Sequence, residues 1–261
     1  MKKSLKTRIS NHLEQSIDDY LTNKEVNTFH VLDKIFPVER RVRSIIGGLE
    51  TSFGTKLWEY LAKELATENG FEIFDNKNFL MPAHIPIRIS SIKTKWETKR
   101  LLENNSISLK NYIDELKKQA EKTAGKTIKY KKPTSGKGID LWLKKNNREY
   151  IFDIKTNQIN KNGANSLNSN LMDWYAYRIL DKHNVNIKIR IAFPFNPYIG
   201  KTWWEVNGTK AYPLRPREDV LVEDEFWDFL HGKKNTWKNI IDIFDKLGKK
   251  IGKKYEGVFY E

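Results

Sequence analysis

Residues 138–155 read Gly-Ile-Asp-Leu-Trp-Leu-Lys-Lys-Asn-Asn-Arg-Glu-Tyr-Ile-Phe-Asp-Ile-Lys, two runs of β-forming residues separated by Asn146-Asn147. Asn tolerates positive φ, so this pair predicts a two-residue hairpin turn. Strand partners are then placed symmetrically about the Asn pair, and Asp140 falls opposite Asp153. Directly opposed residues share a face and stand about 4.5–5.5 Å apart. A four-residue turn over 145–148 keeps this register, whereas a three-residue turn loses it. In the second strand Asp153 and Lys155 share one face, while Phe152 and Ile154 point the other way into a core.

One face of the hairpin thus presents two carboxylates and an ammonium. Two carboxylates so placed repel each other unless a cation lies between them. Hard oxygen ligands of this kind suit Mg²⁺, which keeps several waters and accepts phosphate oxygens. With Lys155 orienting a water beside that metal, the group is built for in-line attack on a phosphodiester. For Asp-Ile-Lys alone, a solvated polar strand face is the commoner reading. The opposed Asp140, the preceding Gly136-Lys137-Gly138 and the charge of the chain weigh toward chemistry.

Lys and Arg number 47 against 33 Asp and Glu, a net charge of +14. With a pI near 9.6, the chain favours a polyanionic partner, because basic side chains gain affinity by releasing counterions from phosphates. The absence of cysteine excludes disulfides, zinc ribbons and thiol catalysis and fits a reducing, cytoplasmic location. His12, His30, His84, His183 and His231 are scattered without zinc-ligand spacing, which argues against an HNH-type or zinc site. No G-x-x-x-x-G-K-[ST] occurs, so no nucleotide cofactor is expected. No apolar run follows the basic N-terminus, and none approaches the roughly 20 residues of a membrane span, so no membrane association is expected. The mean hydropathy of −0.67 leaves most of the 8 Trp, 11 Tyr and 13 Phe to the core. Base stacking by some of them is weaker evidence than the charge.

Periodicity predicts a helical region over about 1–70, interrupted at Pro37 and broken at Gly47-Gly48, with an amphipathic helix over 51–67 closed by Asn69-Gly70. A short strand follows at 71–74, and Pro82 and Pro86 mark irregular chain. A helix runs from Ser108 to Thr123, and 126–133 is a basic loop or edge strand. Beyond the hairpin, the pattern predicts a helix over 168–182, a strand over 186–195, an irregular stretch holding Trp203-Trp204, and helices over 223–231 and 236–249. The fold class expected is α/β, a mixed central sheet flanked by helices. We read one domain over 1–261, its helical N-terminal region covering about 1–70 and its core about 50–200.

Gly138-Ile139-Asp140, twelve residues, then Asp153-Ile154-Lys155 resembles the PD-(D/E)xK nuclease signature, with Gly138-Ile139 where that motif often carries Pro. The wider run, Phe152-Asp-Ile-Lys-Thr-Asn-Gln-Ile-Asn160 and Asn170-Leu-Met-Asp-Trp-Tyr-Ala-Tyr-Arg178, resembles type II restriction endonucleases of the TdeIII-like kind. This resemblance implies a restriction-endonuclease-like fold and Mg²⁺-dependent cleavage of both strands of double-stranded DNA at a short palindrome by a homodimer. It also points to a G/C-rich interrupted target such as GGNCC. Carried over by position, Asp140 and Asp153 ligate the metal, the Ile154 carbonyl adds a ligand, and Lys155 positions or deprotonates the water. A further acid is expected from a helix before the sheet, Glu50 or Glu59. These lie nine residues apart, half a turn at about 100° per residue, so one straight helix cannot aim both at one site. Glu50 is preferred for its place at the helix start.

Candidate DNA contacts are Lys129, Lys131, Lys132, Gln158, Arg178, Lys201, Arg215 and Arg217. For Arg178, packing with a surface charge is the readier reading, and Asn165, Asn168 and Asn170 read first as caps at a helix start. Two other functions fit the same residues. One is a structure-specific repair or recombination nuclease with this core, and the other a non-catalytic nucleic-acid-binding protein whose acids are structural.

Overall fold

The computed structural model describes residues 1–22, 30–102, 107–123, 127–156 and 159–260. The chain forms two compact units, Met1–Leu65 with Trp227–Glu261, and Ala66–Phe226. In chain order the helices are α1 (Lys3–Thr22), α2 (Pro37–Glu68), α3 (Ile87–Leu102), α4 (Lys110–Glu121), α5 (Lys161–Asp181), α6 (Trp203–Ala211), α7 (Asp224–His231), α8 (Thr236–Ile251) and α9 (Glu256–Tyr260). The strands are β1 (Glu72–Phe74), β2 (Met81–Pro82), β3 (Tyr130–Lys131), β4 (Leu141–Lys145), β5 (Arg148–Ile154), β6 (Ile187–Phe193) and β7 (Val220–Val222). Among the described residues no helix is long and apolar enough to cross a membrane.

The first unit is helical. Leu5, Ile9 and Leu13 of α1 recur every fourth residue and are buried, as are Leu57, Leu61 and Leu65 of α2 and Ile240, Ile243, Leu247 and Ile251 of α8. This is the one-sided stripe that drives helix packing. Trp58 anchors it among Trp227, Trp237 and Phe244, with ring centroids 6.0–6.3 Å away. Of two expected interruptions one is present: the short 3₁₀ turn Val31–Lys34 ends before Pro37, which opens α2, where its missing N–H was unpaired anyway. The other is absent. Gly47-Gly48 lies within the same helix, its cost of about 1 kcal/mol per Gly outweighed by burial on either side. The expected stop is present: Gly70 has φ 75°, its N–H bonds to Thr67 O, and that of Phe71 reaches back to Ala66 O, closing the helix as a Schellman motif.

The second unit carries a mixed five-stranded sheet in the order β1-β4-β5-β6-β7 and the two-stranded pair β2-β3. The hairpin β4-β5 and the pair β1-β4 are antiparallel, whereas β5-β6 and β6-β7 are parallel. A parallel neighbour needs a long crossover, and α5 supplies it. Its residues Leu171 to Tyr177 are all buried, so this helix is covered all round, by α3 and α4 and by β6. Tyr175 Oη accepts from Ile189 N at 2.9 Å and locks α5 to the sheet. The architecture is therefore the α/β fold expected.

Four elements depart from the sequence reading. α3 follows the irregular chain at Pro82 and Pro86, where no helix is read because its stripe is poor: Ile89 and Arg100 are its fully buried residues. α5 begins at Lys161, capped by Asn160 Oδ1 on Gly163 N at 2.7 Å, which puts Asn165, Asn168 and Asn170 inside the helix instead of at its cap. The supposedly irregular Trp203-Trp204 opens α6, where Thr202 and Glu205 form a capping box. β7 is three residues long, too short for alternation to register.

Candidate active site

Asn146 and Asn147 take φ of 50° and 58°, and the pairing runs Lys145 with Arg148 through Leu141 with Phe152. This is the register that places Asp140 across from Asp153. The Asp140 N–H extends the ladder by donating to Phe152 O at 3.0 Å. Its carboxylate folds onto β5, where Oδ2 accepts from the Ile154 amide at 2.6 Å. From the other side, Asn76 donates to the Asp140 carbonyl.

Asp153 is 4 % exposed. Its Oδ1 accepts from Lys155 Nζ at 2.6 Å, but its buried Oδ2 has no hydrogen-bond partner among the described residues. Burial foremost, then the neighbouring Asp140, push the Asp153 carboxyl up to about 7 against the pull of Lys155. An oxygen in this position lacks a proton or a cation. The donor set fits Mg²⁺: hard carboxylate oxygens, one of them unsatisfied, with coordination positions left for water and phosphate. Among the described residues of this unit no third acidic or histidine side chain joins the pair.

The raised pKa has a consequence for stability. The folded state keeps a proton that the unfolded chain releases near 3.8. This contribution is full below that value and is lost as pH rises through about 7. The melting temperature of the metal-free protein is expected to fall between about pH 4 and about pH 7, and Asp153→Asn to remove that part of the fall. Mg²⁺ should stabilise more at the alkaline end, where it does not compete with the proton. Identical profiles for wild type and variant would show that Asp153 does not hold this proton.

The sequence profile described as "Type II restriction endonuclease, HinfI" matches residues 1–248, a span containing the whole hairpin. The chain belongs to this family. Type II restriction enzyme MjaII of Methanocaldococcus jannaschii is 23% identical over 210 residues, covering 77% of this chain and 54% of its own length. The chain thus spans about half the length of this curated relative. Within type II restriction endonucleases, the residue runs resembled the TdeIII-like kind, whereas the matching family is that of HinfI.

The structure sorts the remaining candidates of this HinfI-family chain. Lys129, Lys131 and Lys132 are exposed on and beside β3, and Lys201 is exposed before α6. Arg215 pairs with Glu218 at 2.9 Å, and the largely exposed Arg217 with Glu225 at 2.7 Å. Arg178 is different. Its guanidinium grips both oxygens of the buried Glu149 at 2.8 Å and lies 5.1 Å over the Trp142 ring. An arginine so held supports the sheet and not a phosphate. Ile154 buries its side chain and gives its amide to Asp140. Glu50 is exposed on α2, and Glu59, on the same helix, pairs with Lys63 at 3.3 Å; both belong to the helical unit. Gln158 lies outside the described residues.

Three features escaped the sequence reading. Asn76 leaves no trace in periodicity, because a single loop amide has no pattern. Lys155 opens onto a cleft of about 320 Å³ whose walls include Gly136, Asn160, Ser166, Asn170 and Phe193. Beside it, Lys137 Nζ donates to Asn170 Oδ1 at 2.7 Å and pairs with the buried Asp173 at 3.3 Å, while Lys93 holds the other Asp173 oxygen at 2.8 Å. The Gly136-Lys137-Gly138 run was the one visible sign of this cluster.

Proposed function

We propose that this chain is a Mg²⁺-dependent, site-specific deoxyribonuclease of the PD-(D/E)xK type, hydrolysing double-stranded DNA at a short palindrome as the nuclease of a restriction–modification system. The observation that carries this reading is the pair Asp140 and Asp153, one buried oxygen unsatisfied, with the Lys155 ammonium 2.6 Å from the other. Asp140 and Asp153 would hold the cation, with the Ile154 carbonyl as a further ligand. When bound, the cation polarises a phosphoryl oxygen and acidifies water.

The chain's own groups do the rest. Lys155 gives one N–H to Asp153 and keeps two others. Its side chain is 43% exposed, so those donors reach a phosphate oxygen or the attacking water. The Asp140 carboxylate is held by the Ile154 amide and its backbone carbonyl by Asn76, which fixes one carboxylate before substrate arrives and lowers the cost of organising the site. Lys129, Lys131, Lys132 and Lys201 are the exposed cations proposed for backbone phosphates. A palindromic site asks for two-fold symmetry, so the acting form is proposed to be a homodimer.

Plasmid digestion tests this. Purified protein with Mg²⁺ should give discrete fragments that EDTA abolishes, and sequencing the ends would show whether the target is of the GGNCC type. A smear, or cleavage confined to branched DNA, would favour a structure-specific repair nuclease. DNA binding without cutting under Mg²⁺ or Mn²⁺ would overturn the proposal.

A further inference from the structure

The cleft beyond Lys155 is not needed to hold a cation at Asp140 and Asp153, yet its walls include Asn160, Ser166 and Asn170, and a second lysine, Lys137, is bonded to that wall. Lys155, Gly136 and Asn170 line it, and Asn170 Oδ1 holds Lys137 Nζ at 2.7 Å. Lys137 sits in a turn that is pinned to α5: its carbonyl accepts from Trp174 Nε1 at 2.9 Å, and its N–H from the same turn reaches Thr134 O at 3.0 Å. Its ammonium is therefore placed by the fold. Of its three donors one goes to Asn170 and one faces Asp173, and the side chain is 37% exposed. One donor remains for a ligand.

The buried Asp173 does not neutralise Lys137 alone, because Lys93 pairs with its other oxygen at 2.8 Å. With Lys155 in the cleft wall and Lys137 held on Asn170 of the same wall, the two ammonium groups, each with a donor to give, suit a chain of phosphates better than a single anion. The turn at Lys137 leads directly into Asp140, so the lysine stands three residues along the chain from the carboxylate pair.

We propose that this cleft is a second phosphate subsite, in which Lys137 takes the DNA backbone phosphate next to the one cut beside Asp153 and Lys155. The proposal rests on the nuclease reading above. Lys137, Asn170 and Asp173 then set the register of the strand, and the lysine acts through charge and position. It contacts substrate without touching the bond that breaks.

The test is the salt dependence of binding, which a merely structural role does not move. Binding of a short duplex carrying the mapped cut site is measured in EDTA across a range of salt for wild type, Lys137→Met and Lys137→Arg. Loss of one phosphate contact is expected to reduce the slope of log Kd against log salt by about one in Lys137→Met, with Lys137→Arg close to wild type. In parallel, wild type is titrated with duplexes in which one phosphate at a time is replaced by a neutral methylphosphonate. The replacement next to the cut should reproduce the lowered slope, and Lys137→Met should lose nothing further on that duplex. An unchanged slope in a folded Lys137→Met protein overturns the subsite. Should that variant not fold, a wild-type scan with no loss at the adjacent phosphate overturns it equally. Plasmid cleavage by wild type reads the nuclease activity separately, so a protein that cuts DNA but shows neither effect rejects the subsite alone.

Discussion

Asp153→Asn is expected to lower DNA cleavage by about a thousandfold or more, while leaving DNA affinity equal or higher. The carboxylate is one of two that face each other, and of the pair it is the one with a buried oxygen that has no partner among the described residues. Neutralising it removes half of the charge that would hold the cation, and each tenfold loss of rate corresponds to about 1.4 kcal/mol of lost transition-state stabilisation. The same change relieves a buried repulsion and a desolvated charge. The variant should therefore melt higher than wild type in metal-free buffer at alkaline pH, where wild-type Asp153 must ionise. An inactive but more stable protein is the signature of a group kept for chemistry at the expense of stability. Single-turnover cleavage of a plasmid, paired with thermal melting, checks both halves. If the variant cut within about tenfold of wild type, Asp153 would not be a metal ligand.

The second large effect lies away from the carboxylates. Arg100 is fully buried, and its guanidinium reaches Asp219 Oδ2 at 2.6 Å, the Ile107 carbonyl at 2.7 Å and the Pro213 carbonyl at 3.0 Å. Asp219 also accepts from the Arg215 amide at 3.0 Å, and its carbonyl receives the Ile191 N–H of β6 at 2.8 Å. The pair ties α3 to the turn that launches β7. Asp219→Ala leaves the arginine charge buried without its partner, and a cost of about 3–5 kcal/mol is expected in the unfolding of the sheet unit. Replacing both members together, Arg100→Met with Asp219→Leu, should recover most of that loss, because the desolvation penalty disappears with the charges. Urea denaturation followed by far-UV circular dichroism measures this. A single-variant loss below about 1 kcal/mol would mean that water or another group rescues the guanidinium.

The two predictions fall on opposite sides of what sequence can show. Asp153 was visible because strand pairing about a two-residue turn is simple arithmetic: side chains alternate, and Asn146-Asn147 marks the centre. The Arg100–Asp219 pair was not, since its members are 119 residues apart and a buried arginine looks like a surface one in a polar helix. Arg178 shows the same ambiguity in reverse. It stood among candidate DNA contacts because an exposed and a buried guanidinium are written with the same letter, and only the position of Glu149 distinguishes them. The α3 helix has no readable apolar stripe because its buried side includes that arginine. α6 could have been found from its capping box, Thr202 to Glu205.

By itself, the sequence determined what depends on neighbours along the chain: the turn at Asn146-Asn147, the register that sets Asp140 across from Asp153, the shared face of Lys155, and the basic excess. These follow from alternation, φ preference and charge, which are local. Tertiary structure alone decided what depends on long-range packing. It buried Asp153 until its Oδ2 had no partner among the described residues, laid the Ile154 amide and Asn76 against Asp140, and brought α5 close enough for Asn170 and Asp173 to hold Lys137. Desolvation and convergence of distant side chains have no signature in a linear string, because both arise only when the sheet and its crossover helix exclude water together.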